Sequence, residues 1–348
     1  MTIKCGLVGA GDWMRHALLP ALRAQDGVEI VGCVAATEAE SAHFAANEGI
    51  GRAFPSLVAM LSGPNRPEMV VIATPDHVHA AAVTAALEAG VAAYCEKPLA
   101  NQAGSAAALA GLAESSGVPA TVGYSFRFTP AVQALKRDLA AGRLGTPWLI
   151  ELAEHNPQFH PHGGKAPNWK HDPAQAGAGA LFEYGSHVVD LAAWLLGPVR
   201  RVATTLQHVL PGARLDDIAT VQMQFASGAT GLLVASWVLS GGFPGIRIRL
   251  HGSEALGEVW VDDRLPGGHR YHLTPAHRPG EEEVRLDPMT EPRTEAVRRH
   301  LADFLAGLGG RETLYPETLP TLRQGAQVQA ILDAALASTS AWRDVATL

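Results

Sequence analysis

The first 123 residues alternate short apolar runs with stretches of helical spacing, and few folds accept that pattern. Residues 3–8 form an apolar run that ends in Gly9-Ala10-Gly11, and residues 14–24 carry apolar side chains at helical intervals. Further strands are predicted at 28–35, 69–73, 92–95 and 119–123, with helices at 38–47, 77–89 and 102–115 between them. Strands joined through helices by short connections run parallel, cross over in the right-handed sense and are covered on both faces. Beyond Gly123 the pattern changes. Helices are expected at 130–141, 186–196, 294–308 and 321–338. Strands at 147–153, 199–206, 219–225, 231–238, 247–252 and 257–262 follow closely through turns such as Ser227-Gly228, which predicts a mostly antiparallel sheet. The expected fold class is α/β: a parallel-sheet domain of nucleotide-binding type over 1–123, then an α+β domain over 124–348 built on one large, mostly antiparallel sheet.

At 348 residues, each part is long enough to bury its own core. The formal charge is −7 and no basic run exceeds Arg298-Arg299, which argues against nucleic acid or an anionic membrane as partner. The N-terminus enters a strand without a charged leader, and no apolar stretch approaches the roughly 20 residues of a membrane span, so a cytoplasmic protein is expected. Cys5, Cys33 and Cys95 lie in apolar runs without CxxC spacing, as buried thiols in a reducing compartment would.

A glycine turn between strand and helix brings backbone N–H groups against a pyrophosphate at the helix N-terminus. Gly9, Gly11, Asp12, Trp13 and Met14 are therefore candidate cofactor contacts, with Asp12 or a neighbour expected to cap the helix. Met14 stands where the dinucleotide fingerprint has a third small residue. The acid that binds ribose hydroxyls after the second strand is also missing, because that point reads Val34-Ala35-Ala36-Thr37. Ala36 and Thr37 are the ribose candidates, with Arg15 or His16 within reach from the first turn and Glu38 expected in the next helix. With no carboxylate to repel a 2′-phosphate, the pattern leans to NADP within NAD(P).

Two further segments carry chemistry. Glu96-Lys97-Pro98 follows the apolar run 91–95, which puts Lys97 at the end of a buried parallel strand, where open α/β sheets keep their ligands. There Lys97 would stabilise a developing alkoxide or take its proton; the alternative is a surface lysine beside a turn proline. The second segment, Gly177-Ala-Gly-Ala-Leu-Phe-Glu183-Tyr-Gly-Ser-His187-Val-Val-Asp190, sets an acid and an imidazole four residues apart at the entry to an apolar helix. The helix N-terminus disfavours charge on His187, so the ring can accept a proton. Glu183, on the same face if the segment is helical, would orient that ring. A cation, an acid and a histidine are the parts needed to move a proton beside a hydride. Thr74, Pro75 and His79, after the third inner strand, are expected near a nicotinamide ribose, with helix-start capping as the alternative for His79. The stretch 154–170, with His155, His160, His162 and the adjoining His171, lacks metal-ligand spacing and reads as a substrate-facing loop without a metal. Arg127 is a candidate substrate contact or half of a salt bridge.

These segments together resemble the Gfo/Idh/MocA family of oxidoreductases. The likeness runs through Gly9-Ala-Gly11, Ala73-Thr74-Pro75-Asp76-His77-Val78-His79, Cys95-Glu96-Lys97-Pro98-Leu99, Gly123-Tyr-Ser-Phe-Arg127-Phe128, the Gly177-to-Asp190 segment and Asp216-Asp217. It implies a Rossmann domain, a sheet domain that forms a homodimer or homotetramer interface, and NAD(P)-dependent oxidation or reduction of a secondary hydroxyl or ketone of a sugar, inositol or related polyol. It also implies that Glu96 and Lys97 lie beside the nicotinamide and that His187 faces substrate. Trp169 and Lys170, a Trp-basic pair ahead of the glycine-rich run, are by the same likeness substrate or nicotinamide contacts. The chain departs from the family in Glu183 for an aspartate, Ala178 for a glycine, Ser125 for an asparagine, and Met14. Two alternatives stay open: a tightly held cofactor recycled during glycoside hydrolysis or sugar rearrangement, and a non-catalytic sensor of nucleotide or sugar. Lys97 and His187 argue against the sensor.

Overall fold

The computed structural model describes residues 2–63, 65–162, 164–165, 168–239, 245–277, 280–315, 317–339 and 341–347. The chain divides into two compact units: residues up to Ser125 with Thr294–Ala326, and Phe126–Arg293 with the residues from Gln327 onward.

In the first unit, β1 (Ile3–Val8), β2 (Val28–Val34), β3 (Met69–Ile72), β4 (Ala92–Cys95) and β5 (Ala120–Val122) form a parallel sheet in the order β2-β1-β3-β4-β5. Strands β3 and β4 are buried at every position, as a strand covered on both faces must be. The connecting helices are α1 (Leu19–Arg23), α2 (Glu38–Glu48), α3 (Leu57–Ser62), α4 (Asp76–Glu88) and α5 (Ala103–Ser116); α3 was not expected. The helix expected at 14–24 is interrupted. Its first part, Met14–Leu18, is a π-helical turn that continues into α1. Met14 is fully buried in the cluster around Leu7, Leu18 and Leu22. The wider i→i+5 turn gives a large side chain room where the fingerprint has a small one.

Thr294–Ala326 belongs with this first unit, although the expected boundary assigned it to the second. Val297, Leu301, Phe304 and Leu305, on the helix Pro292–Leu308, complete the core that includes Ile3, Cys5, Leu7 and Tyr94. Sequence order could not reveal this return of the chain.

The second unit is built on a nine-stranded sheet. Its strands are β6 (Pro147–His155), β7 (Val199–Gln207), β8 (Ile218–Phe225), β9 (Thr230–Ser236), β10 (Gly245–Gly252), β11 (Ala255–Val261), β12 (His269–Pro275), β13 (Glu282–Glu283) and β14 (Arg343–Asp344). The order is β13-β12-β11-β10-β6-β9-β8-β7-β14, antiparallel throughout except where β6 runs parallel to β9. Strands β12 to β14 were not expected. Alternation puts Ile150, Leu152 and Glu154 of β6, and Leu233 and Ala235 of β9, on the buried face. Of the helices α6 (Pro130–Ala140) and α7 (Ser186–Leu196), α7 packs on β6 and β9 through its buried apolar side.

Candidate functional site

In the first unit the three motifs all fall at the carboxyl ends of parallel strands. The glycine turn follows β1, Thr74-Pro75 follows β3, and Glu96-Lys97 follows β4. Between β1 and β3 the strand order reverses, which is the switch point where such sheets bind ligands. Gly9 has φ +105°, and a Cβ there would lie 2.1 Å from Ala73 O, so only glycine lets the two strand ends pass. Gly11 differs: a Cβ built on it meets no protein atom within 4 Å. That open space, over a turn entering a helix, fits the pyrophosphate of a dinucleotide. Trp13 beside it is 38% exposed. Asp12 and Trp13 are already helical, so the helix begins directly after Gly11 and runs into the π turn.

At the ribose position, Thr37 is exposed and caps α2. Its Oγ1 accepts from Glu40 N at 3.1 Å, while Glu40 Oε2 accepts from Thr37 N at 3.2 Å. Glu38 lies in the first turn of α2, as expected. Arg15 pairs with Glu48 at 2.8 Å and stacks on the Phe44 ring.

His79 is held by backbone groups on both sides. The ring is 1% exposed, with Nδ1 2.7 Å from Pro98 O and Nε2 2.9 Å from Thr74 O. Its polar atoms are thus committed to the backbone on either side of the site, so it ties the Thr74 and Pro98 segments together. Burial lowers its pKa to about 4. Glu96 is buried, and its Oε2 accepts from Lys97 N at 3.3 Å. Gly123 leaves room for that carboxylate, since a Cβ there would lie 2.9 Å from Glu96 Oε1. Lys97 is half-buried at the strand end.

In the second unit, the glycine-rich run is bent around Asp216. Gly179 N and Leu181 N donate to its two carboxylate oxygens at 2.8 and 2.7 Å, and a Cβ on Gly179 would lie 1.9 Å from Asp216 O. The chain then makes a π-helical turn, Leu181–Gly185, which leads into α7. Glu183 is on the π turn, and its carboxylate accepts from Lys170 Nζ at 2.5 Å, with both side chains 21% exposed. The segment is helical as expected, but Glu183 is ion-paired to Lys170, a partner its spacing from His187 did not suggest. His187 is half-buried with the Phe126 ring edge-on at 4.9 Å, and because helix runs unbroken from Ala180 through the π turn into α7, it does not lie at the helix N-terminus where it was expected.

Arg127 is also reassigned. Its Nε and Nη2 donate to the two oxygens of Asp190 at 2.8 and 2.5 Å, with both side chains buried. A forked, buried pair is a frame element. The salt-bridge alternative is the one realised, and Asp190 supports α7 through it. Trp169 and Lys170 lie on a short 3-10 turn, Trp169–His171, with Asn168 Oδ1 accepting from Lys170 N. Among the described residues no cluster of His, Cys, Asp and Glu could hold a metal ion.

Two residues of this region were missed. Glu154 is completely buried at the end of β6 and pairs with Arg293 at 3.0 Å, and Arg293 lies over the Phe126 ring. Glu154 was expected to open the loop 154–170, but β6 runs on to His155, and carrying its alternation one residue further puts Glu154 on the inward face. Nothing local marks Arg293, which lies 139 residues away.

Residues 3–124 match the family model described as an oxidoreductase family with an NAD-binding Rossmann fold, and 132–256 match the GFO/IDH/MocA C-terminal domain. The chain is 31% identical to a D-apiose dehydrogenase of Paraburkholderia graminis over 265 residues, which cover 75% of this chain and 68% of that one. It is 26% identical to an inositol 2-dehydrogenase of Rhizobium meliloti across 99% of each. A levoglucosan dehydrogenase solved with NADH and L-sorbose superposes over 100% of both chains with a TM-score of 0.88 at 24% identity. With a glycine turn, a lysine and a histidine set on this two-domain fold, the chain belongs to the Gfo/Idh/MocA family of NAD-binding oxidoreductases.

Proposed function

We propose that the protein is a dehydrogenase that oxidises a secondary hydroxyl of a sugar or polyol, or reduces the matching ketone. The observation that carries this is the set of motifs at one sheet edge: Gly11 opening onto free space after β1, and Lys97 half-buried after β4. The names of the relatives, which act on D-apiose and inositol, support the substrate class. When bound, the nicotinamide supplies the hydride acceptor or donor. Gly9, Gly11, Asp12 and Trp13 hold its pyrophosphate, and Ala36 and Thr37 its ribose.

Lys97, His187 and Glu183 are the catalytic residues in this proposal. Lys97 brings a positive charge to the reacting oxygen and stabilises it as its proton leaves. His187 accepts that proton. Glu183, held by Lys170, supplies the negative charge that stabilises the imidazolium, and Lys170 and Trp169 contact substrate. Arg127 acts at a distance, by holding Asp190 and so the first turns of α7.

The cofactor we propose is NAD(H), against the lean to NADP drawn from the missing carboxylate. Arg15, the nearest candidate to grip a 2′-phosphate, is paired with Glu48, and Glu38 and Glu40 in the first turn of α2 disfavour added negative charge. We also propose a homodimer or homotetramer through the outer face of the large sheet, where Arg249 bridges Glu151 and Glu258. No helix among the described residues is long and apolar enough to cross a membrane.

The test is a titration with NADH and NADPH, then turnover of D-apiose, levoglucosan and myo-inositol with the preferred cofactor. Lys97→Ala and His187→Ala are each expected to lower kcat by at least about 100-fold with NADH affinity kept. Loss of NADH binding in both, with turnover per bound cofactor unchanged, would overturn these roles. Nucleotide released only on heat denaturation would favour the recycling alternative.

A further inference from the structure

The paired acids Asp216 and Asp217 lie just before β8, and neither reaches the residues assigned above to chemistry. Both are nonetheless buried, and both are fully engaged. Asp216 takes Gly179 N and Leu181 N on its two carboxylate oxygens, while its backbone oxygen takes Ala180 N at 2.9 Å. These are the residues that set the entry of the π turn carrying Glu183. Asp217 points to the other side, as successive residues of extended chain do. Its Oδ1 accepts from the Trp237 indole Nε1 at 2.7 Å, and its Oδ2 accepts from Val209 N and Leu210 N at 2.6 and 2.8 Å.

Trp237 is the largest fully buried side chain of the protein among the described residues, and its ring has a specific neighbour. The His171 imidazole stacks on it at 4.7 Å with 34° between the planes, and Phe159 meets both rings edge-on at 4.4 and 5.3 Å. His171 directly follows Lys170. One aspartate therefore anchors the segment that carries Glu183, and its neighbour anchors, through Trp237 and His171, the segment that carries Lys170. The 2.5 Å bond between Lys170 and Glu183 closes the loop.

We infer that Asp216-Asp217 is the positioning element of the site: a rigid dipeptide that sets the Lys170–Glu183 pair from both ends, with Trp237 and His171 as the arm to Lys170. This deepens the proposed function and rests on its assignment of Glu183 and Lys170 to the reaction. A pair of flexible side chains at half-buried positions holds a fixed geometry only if both backbones are fixed, and misplacement by about 1 Å costs about 100-fold in rate.

The test combines geometry with a double-mutant cycle. Trp237→Phe keeps an aromatic ring, though a smaller one, and removes the N–H; His171→Leu removes the stacked ring at a half-buried position and serves if Trp237→Phe does not fold. In crystal structures of the variants, the Lys170–Glu183 bond is expected to be lost or lengthened, and an unchanged bond in both would overturn the inference. Turnover is read with NAD+ on whichever of D-apiose, levoglucosan and myo-inositol the unsubstituted protein oxidises. Each substitution is expected to lower kcat about 100-fold, but to change it by less than about twofold when Lys170 is already Met. Equal losses in both backgrounds mean a purely structural role and overturn the inference. If Lys170→Met and Glu183→Gln each leave turnover intact, it is the proposed role of the pair that fails, whatever the bond lengths show.

Discussion

His79 shows how much a single residue's meaning depends on what surrounds it. In sequence it follows a strand and a Thr-Pro turn, a position that invites a ligand contact. In the fold it is buried between two backbone carbonyls, and burial lowers its pKa from 6.5 to about 4, against the pull of both hydrogen bonds. A neutral ring has one N–H and can donate to only one carbonyl at a time. The sign of the consequence follows from the two states. Between pH 6.5 and 4 the unfolded chain binds a proton that the folded chain refuses, so stability falls as the pH drops through that window, by at most about 3 kcal/mol. Urea unfolding at pH 7 and pH 4.5 is expected to show a smaller pH effect in His79→Gln than in the unsubstituted protein. An equal effect would mean that His79 takes its proton in the folded state. Arg127 teaches the same lesson, because only the fold places Asp190 against both arms of its guanidinium.

At the scale of elements, two π-helical turns lie where the chain meets its candidate ligands. One receives Met14 and the other carries Glu183. The first falls in a stretch read as ordinary helix, since a single wide turn leaves the periodicity of its neighbours almost unchanged, and the second precedes the helix expected at 186–196. The glycines beside them separate fold from function. Gly9→Ala must adopt a left-handed φ and meet Ala73 O, so it is expected to destabilise the protein by about 1–3 kcal/mol or more. Gly11→Ala meets nothing in the protein and should leave stability within about 0.5 kcal/mol. It is nevertheless expected to weaken NADH binding, because its methyl group enters the space assigned to the pyrophosphate. Thermal melts and NADH titrations of the two variants check both statements, and unaltered affinity in Gly11→Ala would remove the pyrophosphate from that turn.

Across the whole molecule, the return of the chain at Thr294–Ala326 is the largest departure from linear order. The fragment 1–125 carries every strand of the parallel sheet but lacks Val297, Leu301, Phe304 and Leu305. It is expected to bind a hydrophobic dye and melt without a cooperative transition, whereas a sharp melt by circular dichroism would show that the late helix is dispensable. Strands β1 to β11, the parallel and antiparallel sheets, the glycine turn, and the place of Lys97 beyond a strand end were legible in the residues. Each depends on local periodicity or on a short motif within one strand-turn-helix step. What only the tertiary structure decided is who meets whom across long separations: Arg127 with Asp190, Lys170 with Glu183, Glu154 with Arg293, Asp217 with Trp237. Such partners are set by the register of a nine-stranded sheet and by the path of irregular loops, where no repeating pattern links one side chain to another. The sequence thus named the kind of chemistry, and the fold chose the bonds that hold it in place.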